Sequence, residues 1–203
     1  VKTPSKVSIS AAVEGDVDET VVKKLIAHVG GQLGTVYGKR GKPALRQKIK
    51  GYNNAARHTP WIVLVDLDRE AACAPPLLGS WISKPASLLC FRVVVREIEA
   101  WLMADATTLA RFLGVAQRRV PGSPEDMDYP KRVLVNLARH ARRRAIREDM
   151  VPRAGSGRQV GPAYPSRLIE YVESRWRPEV AAQYAGSLRR AIACLERLIK
   201  RVS

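Results

Sequence analysis

The chain has 203 residues, 46% of them hydrophobic, which is enough for a sizeable core in one domain or in a domain with an appended subdomain. Its 35 Lys and Arg residues outnumber 19 Asp and Glu for a formal net charge of +16, a balance that predicts attraction to polyanions, nucleic acid first. No apolar run reaches membrane-spanning length, and Cys73, Cys90 and Cys194 lack the CxxC spacing of a zinc site or a disulfide framework.

That cysteine usage fits a reducing, cytoplasmic location, and the N-terminus is polar (Lys2, Ser5, Lys6) with no apolar leader core visible. Val7 to Val13 is β-branched and apolar, and reads as a strand ended by Glu14-Gly15. Val21, Val22, Leu25, Ile26 and Val29 recur at helical spacing, with Asp18 and Glu19 at the positive end of that helix and Gly30-Gly31 stopping it. Leu33 to Tyr37 is a short second strand, and Lys42 to Ala56 is a basic helix. Trp61 to Val65 is a continuous apolar run, as buried parallel strands are. Ala71 to Pro85, with its Pro-Pro pair, reads as a loop. Leu88 to Val95 is a fourth strand, and Ile98 to Phe112 a helix.

From Pro121 the character changes. Pro121 to Pro130 reads as a linker, and Lys131 to Arg147 as one amphipathic, arginine-rich helix. Met150 to Pro165 is polar and rich in Gly and Pro, and two helices, Ser166 to Trp176 and Pro178 to Val202, close the chain. The alternation of strands and helices predicts an α/β fold, a parallel sheet flanked by helices, over residues 1–120. A basic helical extension follows over 121–203.

In a basic chain, carboxylates concentrated at strand ends call for an explanation. Glu14 closes the first strand, and Asp66-Leu67-Asp68 closes the third. Sites in open parallel sheets form beyond the carboxyl ends of the strands. If the segment stays extended, Asp66 and Asp68 point to the same side, and an all-oxygen donor set suits Mg²⁺ or Mn²⁺. A DxD after a strand also occurs in haloacid-dehalogenase-type phosphatases and in some glycosyltransferases. The first usually carry it on an N-terminal strand with Thr or Val where this chain has Glu70, and nothing else here points to a nucleotide-sugar site.

The order Glu14-Gly15 on one strand, then Asp66-Leu67-Asp68 on another, resembles a Toprim domain, the metal-binding module of topoisomerases, primases and OLD-type nucleases. The segment Arg96-Glu97-Ile98-Glu99-Ala100-Trp101-Leu102-Met103-Ala104-Asp105 resembles the Toprim-like DUF4276 family, as do Gly161-Pro162-Ala163-Tyr164 and Ser187-Leu188-Arg189-Arg190. That resemblance implies a Toprim-like sheet and a Mg²⁺-dependent nuclease acting as an effector in anti-phage defence, where related Toprim proteins are nucleases that often work beside an ATPase. Carried over, Glu14 is the general acid/base or a metal ligand, Asp66 and Asp68 bind the ion, and Glu99 is an additional ligand. No GxxxxGK[ST] loop is present, so an ATPase would be a separate partner. An accessory, nucleic-acid-binding subunit and a small-molecule phosphatase are the competing readings. Glu97 and Glu99 share a face if the strand runs on to Ile98, and diverge if a helix starts at Glu97. Asp105 is expected to cap the following helix.

The cations expected on DNA or RNA are Lys42, Arg46, Arg69, Arg96, Arg139, Arg142, Arg143 and Arg147. Arg139, Arg142, Arg143 and Arg147 would share one face of a continuous helix. Arg69 and Arg96 adjoin the acidic clusters, where they can contact a phosphate or neutralise a carboxylate. Tyr129, Tyr164 and the tryptophans are read as core or interface, with base stacking the alternative for Tyr164 in its Gly/Pro loop. Exposed sheet edges or the C-terminal helices offer a surface for a homodimer.

Overall fold

The structure, a computed structural model, describes residues 6–202. Lys2 and Ser5, on which the polar N-terminus was read, lie outside that range. The chain divides into two compact units, one of residues 6–94 with 189–202 and one of residues 95–188. The expected division at 120 and 121 falls inside the second of these.

The first unit has the expected α/β class. Strands β1 (Ser8–Val13), β2 (Gln32–Gly38), β3 (Trp61–Asp66) and β4 (Leu89–Val94) alternate with helices α1 (Asp16–His28), α2 (Gly41–Ala55) and α3 (Ala74–Trp81). All neighbouring strands are parallel, in the order β2-β1-β3-β4. The central strand β3 is buried on both faces, which is why its sequence does not alternate. Val63, Val65, Phe91 and Val93 point to one face, where Leu45, Ile49 and Tyr52 of α2 and Leu77 and Trp81 of α3 pack on them. The opposite face meets α1 and the last helix, α10 (Gly186–Val202), whose residues from Arg189 on belong to this unit. A Cβ on Gly31 would come within 3.2 Å of the Ile199 side chain, and Arg201 donates to the Ser87 carbonyl at 2.7 Å.

The segment read as a loop, Ala71 to Pro85, contains α3. Its Pro75 and Pro76 fall in the first turn, where amides have no acceptor within the helix, so the pair starts a helix rather than preventing one.

The second unit is helical: α4 (Ile98–Met103), α5 (Ala106–Leu113), α6 (Pro130–Arg139), α7 (Arg144–Met150), α8 (Tyr164–Ser174) and α9 (Pro178–Tyr184). Three expected long helices are each broken. Ile98 to Phe112 breaks at Asp105, whose carboxylate accepts from the Thr108 amide and opens α5 as expected of a cap. Lys131 to Arg147 breaks after Arg139, where the Arg147 guanidinium bonds the Ala141 and Arg142 carbonyls. Arg139, Arg142, Arg143 and Arg147 therefore do not form one helical face. Pro178 to Val202 breaks at Ala185, where the Glu125 carboxylate takes the Ser187 amide at 3.0 Å and caps α10.

Candidate functional site

The strand order places a topological switch between β1 and β3. The chain leaves β1 through α1 to one side, then returns through α2 to add β3 on the other. Such a switch opens a crevice beyond the carboxyl ends of the two strands. Glu14 follows β1 directly and Asp66 ends β3. Glu14 Oε1 accepts the Asp66 backbone N–H at 2.9 Å, so the carboxylate bridges the two strand ends.

The backbone behind Glu14 is held closely. Gly38 ends β2 at φ +94°, and a Cβ there would meet the Val13 carbonyl oxygen at 2.3 Å. Only glycine fits, and the following amides of Lys39 and Gly41 bond the Val13 and Glu14 carbonyls at 2.9 and 3.1 Å. Gly15, by contrast, is extended and opens α1, so no special backbone angle requires glycine there. Left-handed residues other than glycine occur at Lys39, Asp68 and Arg96, each one or two positions past the end of a strand. Such conformations concentrate at functional sites.

Asp68, at φ +50°, has left the extended conformation, so the two-residue alternation with Asp66 does not carry through. What organises Asp68 is Lys42. That side chain, in the first turn of α2, is only 8% exposed, and its ammonium lies 2.8 Å from Asp68 Oδ2 and 2.9 Å from Glu70 Oε1. Lys42, expected on a phosphate, is thus the counterion at the centre of the acidic cluster. Sequence spacing alone gave no sign of this, because Lys42 stands among many cations of the same helix. Burial raises the Glu14 pKa above its ordinary value, with the Asp68 and Glu70 charges adding to the effect, against the Asp66 amide and Lys42, which lower it. Among the described residues no group of three or more His, Cys, Asp or Glu side chains stands arranged to hold a metal.

The carboxylates of the second unit have different partners. Glu97 accepts the Lys131 amide at 2.8 Å and so caps the first turn of α6. It sits just outside α4, and Glu99 lies within that helix's first turn. Glu99 is 2% exposed. Its Oε1 accepts from the Tyr164 hydroxyl at 3.1 Å and lies 3.7 Å from the Lys131 ammonium, while its Oε2 is buried with no hydrogen-bond partner. Burial raises its pKa, with Glu97 adding and Lys131 opposing. Tyr164, read as core or interface with base stacking as the alternative, is buried at the start of α8 as this hydrogen-bond donor. Asp105 is fully buried and takes both Nε and Nη2 of Arg177, at 3.0 and 2.8 Å. Burial alone would raise its pKa, but the guanidinium and Thr108 hold it below the ordinary value.

Of the remaining cations, Arg46 lies over the Trp81 ring, 5.9 Å from its centroid. Arg139, Arg142 and Arg143 are exposed, as is Arg69, whereas Arg96 is half-buried and Arg147 is turned to the backbone at the α6–α7 break. No helix among the described residues is long and apolar enough to cross a membrane. Comparison with protein-family models, with characterised proteins and with solved structures finds no match. The Toprim resemblance accordingly rests on the motif residues.

Proposed function

We propose that the chain is a Mg²⁺-dependent hydrolase of nucleic-acid phosphodiester bonds, with Glu14, Asp66 and Asp68 as its working carboxylates. The observation that carries this reading is the hydrogen bond from the Asp66 backbone amide to Glu14 Oε1 across the switch between β1 and β3, which holds the Glu14 carboxylate against the end of the strand that carries Asp66. The donor chemistry fits a hard divalent ion: the groups are carboxylate oxygens, with no histidine or thiol among them. Bound there, Mg²⁺ would supply an activated water and neutralise charge on the departing oxygen.

Glu14 serves as the acid/base group, since its raised pKa brings it nearer to exchanging a proton at neutral pH. Asp66 has its amide fixed by Glu14 and its Oδ1 buried at the strand end. Lys42 holds the Asp68 and Glu70 charges together, and an incoming cation has to compete with that ammonium for Asp68. The net charge of +16 supports a polyanionic substrate, DNA or RNA.

Cleavage of a panel of single- and double-stranded DNA and RNA, with Mg²⁺ or Mn²⁺ and with chelator, tests the reading. Cleavage should require the ion and disappear in Asp66→Asn. Undiminished cleavage by that variant overturns the assignment, and turnover of small phosphoesters without nucleic-acid cleavage selects a phosphatase instead. Cleavage that appears only when a partner ATPase is added would select the accessory reading.

A further inference from the structure

Away from the carboxylates, the second unit contains a groove of about 410 Å³ between one face of α6 and the segment between α7 and α8. That volume lies within the roughly 300–1,000 Å³ of small-ligand sites. Arg132, Asn136 and Arg139 follow one another at intervals of four and three along α6, and so share a face. Arg158 and Gln159 complete the wall from the segment opposite. With Lys131, the lining carries four cations against the single carboxylate of Glu97, which is itself engaged by the α6 amide.

Tyr129 also lines the groove, 37% exposed, with the Arg132 guanidinium 4.4 Å from its ring centroid. A ring and a guanidinium held together in this way form a stacking platform. Asn136 and Gln159 are both exposed and carry amides that can donate and accept at a base edge. Phosphate cations, a flat stacking surface and amide readers are the three elements that an unpaired nucleotide requires. A duplex keeps its bases paired and stacked inside, where a groove of this size cannot reach them.

We propose that this groove binds single-stranded nucleic acid, with Arg132, Arg139 and Arg158 on its phosphates and one base on the Tyr129–Arg132 platform. The proposal rests on the reading of the chain as a nucleic-acid enzyme and narrows its substrate to single strands at this place.

Fluorescence anisotropy in chelator, with a labelled oligothymidylate and a labelled hairpin duplex, tests it without cleavage. Tyr129→Ala should weaken single-strand binding by about 5- to 100-fold, the range of one lost base stack, and leave duplex binding within about twofold. Tyr129→Phe should restore single-strand affinity, because the ring is retained. Arg158→Ala, in an exposed segment, should reduce the salt slope for the single strand by about 0.7, one phosphate contact. Unchanged single-strand affinity in Tyr129→Ala, an equal loss on both probes, or an unchanged salt slope in Arg158→Ala overturns the groove. Single-strand binding with these sensitivities but no cleavage under any condition would leave the groove standing and sink the hydrolase. Cleavage that Asp66→Asn abolishes, together with insensitivity to Tyr129→Ala, does the reverse.

Discussion

The two units hold carboxylates of the same kind in opposite circumstances. In the first, the Glu14 carboxylate takes the Asp66 backbone amide across two strand ends, and Asp68 and Glu70 share one buried lysine. In the second, Glu97 caps a helix, Glu99 meets a tyrosine, and Asp105 grips an arginine. The lesson is that an acidic motif in a sequence announces burial or chemistry equally well. The difference lies in what faces the oxygen. Where a helix amide, hydroxyl or guanidinium from the same unit takes it, the carboxylate builds the fold. At the strand ends, by contrast, one lysine ammonium is shared by the carboxylates of Asp68 and Glu70.

The largest test of that contrast is catalytic. Glu14→Gln should lower cleavage by about 10²- to 10⁴-fold, the usual contribution of a positioned acid/base group, while the protein stays folded by circular dichroism. Burial has raised the Glu14 pKa, so the folded state binds the proton more tightly than the unfolded one. Between the unfolded and folded pKa values this costs stability as pH rises, and the cost persists at neutral pH. Thermal melts at pH 7 should therefore find Glu14→Gln at least as stable as the parent. Equal cleavage in the two proteins would erase the distinction between the units.

Asp105→Asn should act in the other direction, on stability and not on chemistry. It leaves the half-exposed Arg177 guanidinium against a neutral amide at a fully buried position, and should lower the melting temperature. The Asp105 pKa is depressed, so its contribution is present above the unfolded value and is lost as pH falls through the folded one. The difference in melting temperature between parent and variant should shrink in acid. A difference that grows in acid would refute the ion pair.

Glu99→Gln sharpens the comparison at the second-unit carboxylate that the family resemblance makes a metal ligand. A raised, fully buried carboxyl with one unpartnered oxygen should be relieved by the amide, so the melting temperature at pH 7 rises. Mg²⁺ affinity by calorimetry should stay within about threefold. A loss beyond tenfold, about 1.4 kcal/mol, would return Glu99 to the ligand set that the family resemblance implies.

The smallest effect lies on the far face of the first unit's sheet. Cys194 on α10 is hydrogen-bonded to Cys90 of β4, which lowers its pKa to about 6, with Arg92 and Arg197 assisting against burial. Iodoacetamide labelling of Cys194, followed by mass spectrometry, should be well advanced at pH 7, decline below pH 6, and slow a fewfold in Arg197→Ala. No pH dependence in that range would show the thiol to be ordinary.

Much of the first unit could be read from residues alone. Unbroken apolar runs, helical spacing and the Gly30-Gly31 stop fix local backbone preference over four to fifteen residues, and these need no distant partner. The end of β1 at Glu14 and the end of β3 at Asp66 were legible for the same reason. The expected Asp105 cap signalled one helix break, but the other two were not legible, since they are stabilised by carbonyls freed at the break or by a side chain far along the chain: Arg147 at the α6–α7 junction, Glu125 at Ser187. Periodicity records which face is apolar and is blind to who accepts an amide. Lys42 marks the same boundary. Its sequence neighbours place it on a basic helix, and only the packing of α2 beside the end of β3 turns its ammonium inward to Asp68 and Glu70. The sequence by itself determined where the carboxylates end their strands. The tertiary structure decided which of them are already satisfied, because hydrogen-bond partners distant in sequence become neighbours only when the chain is folded.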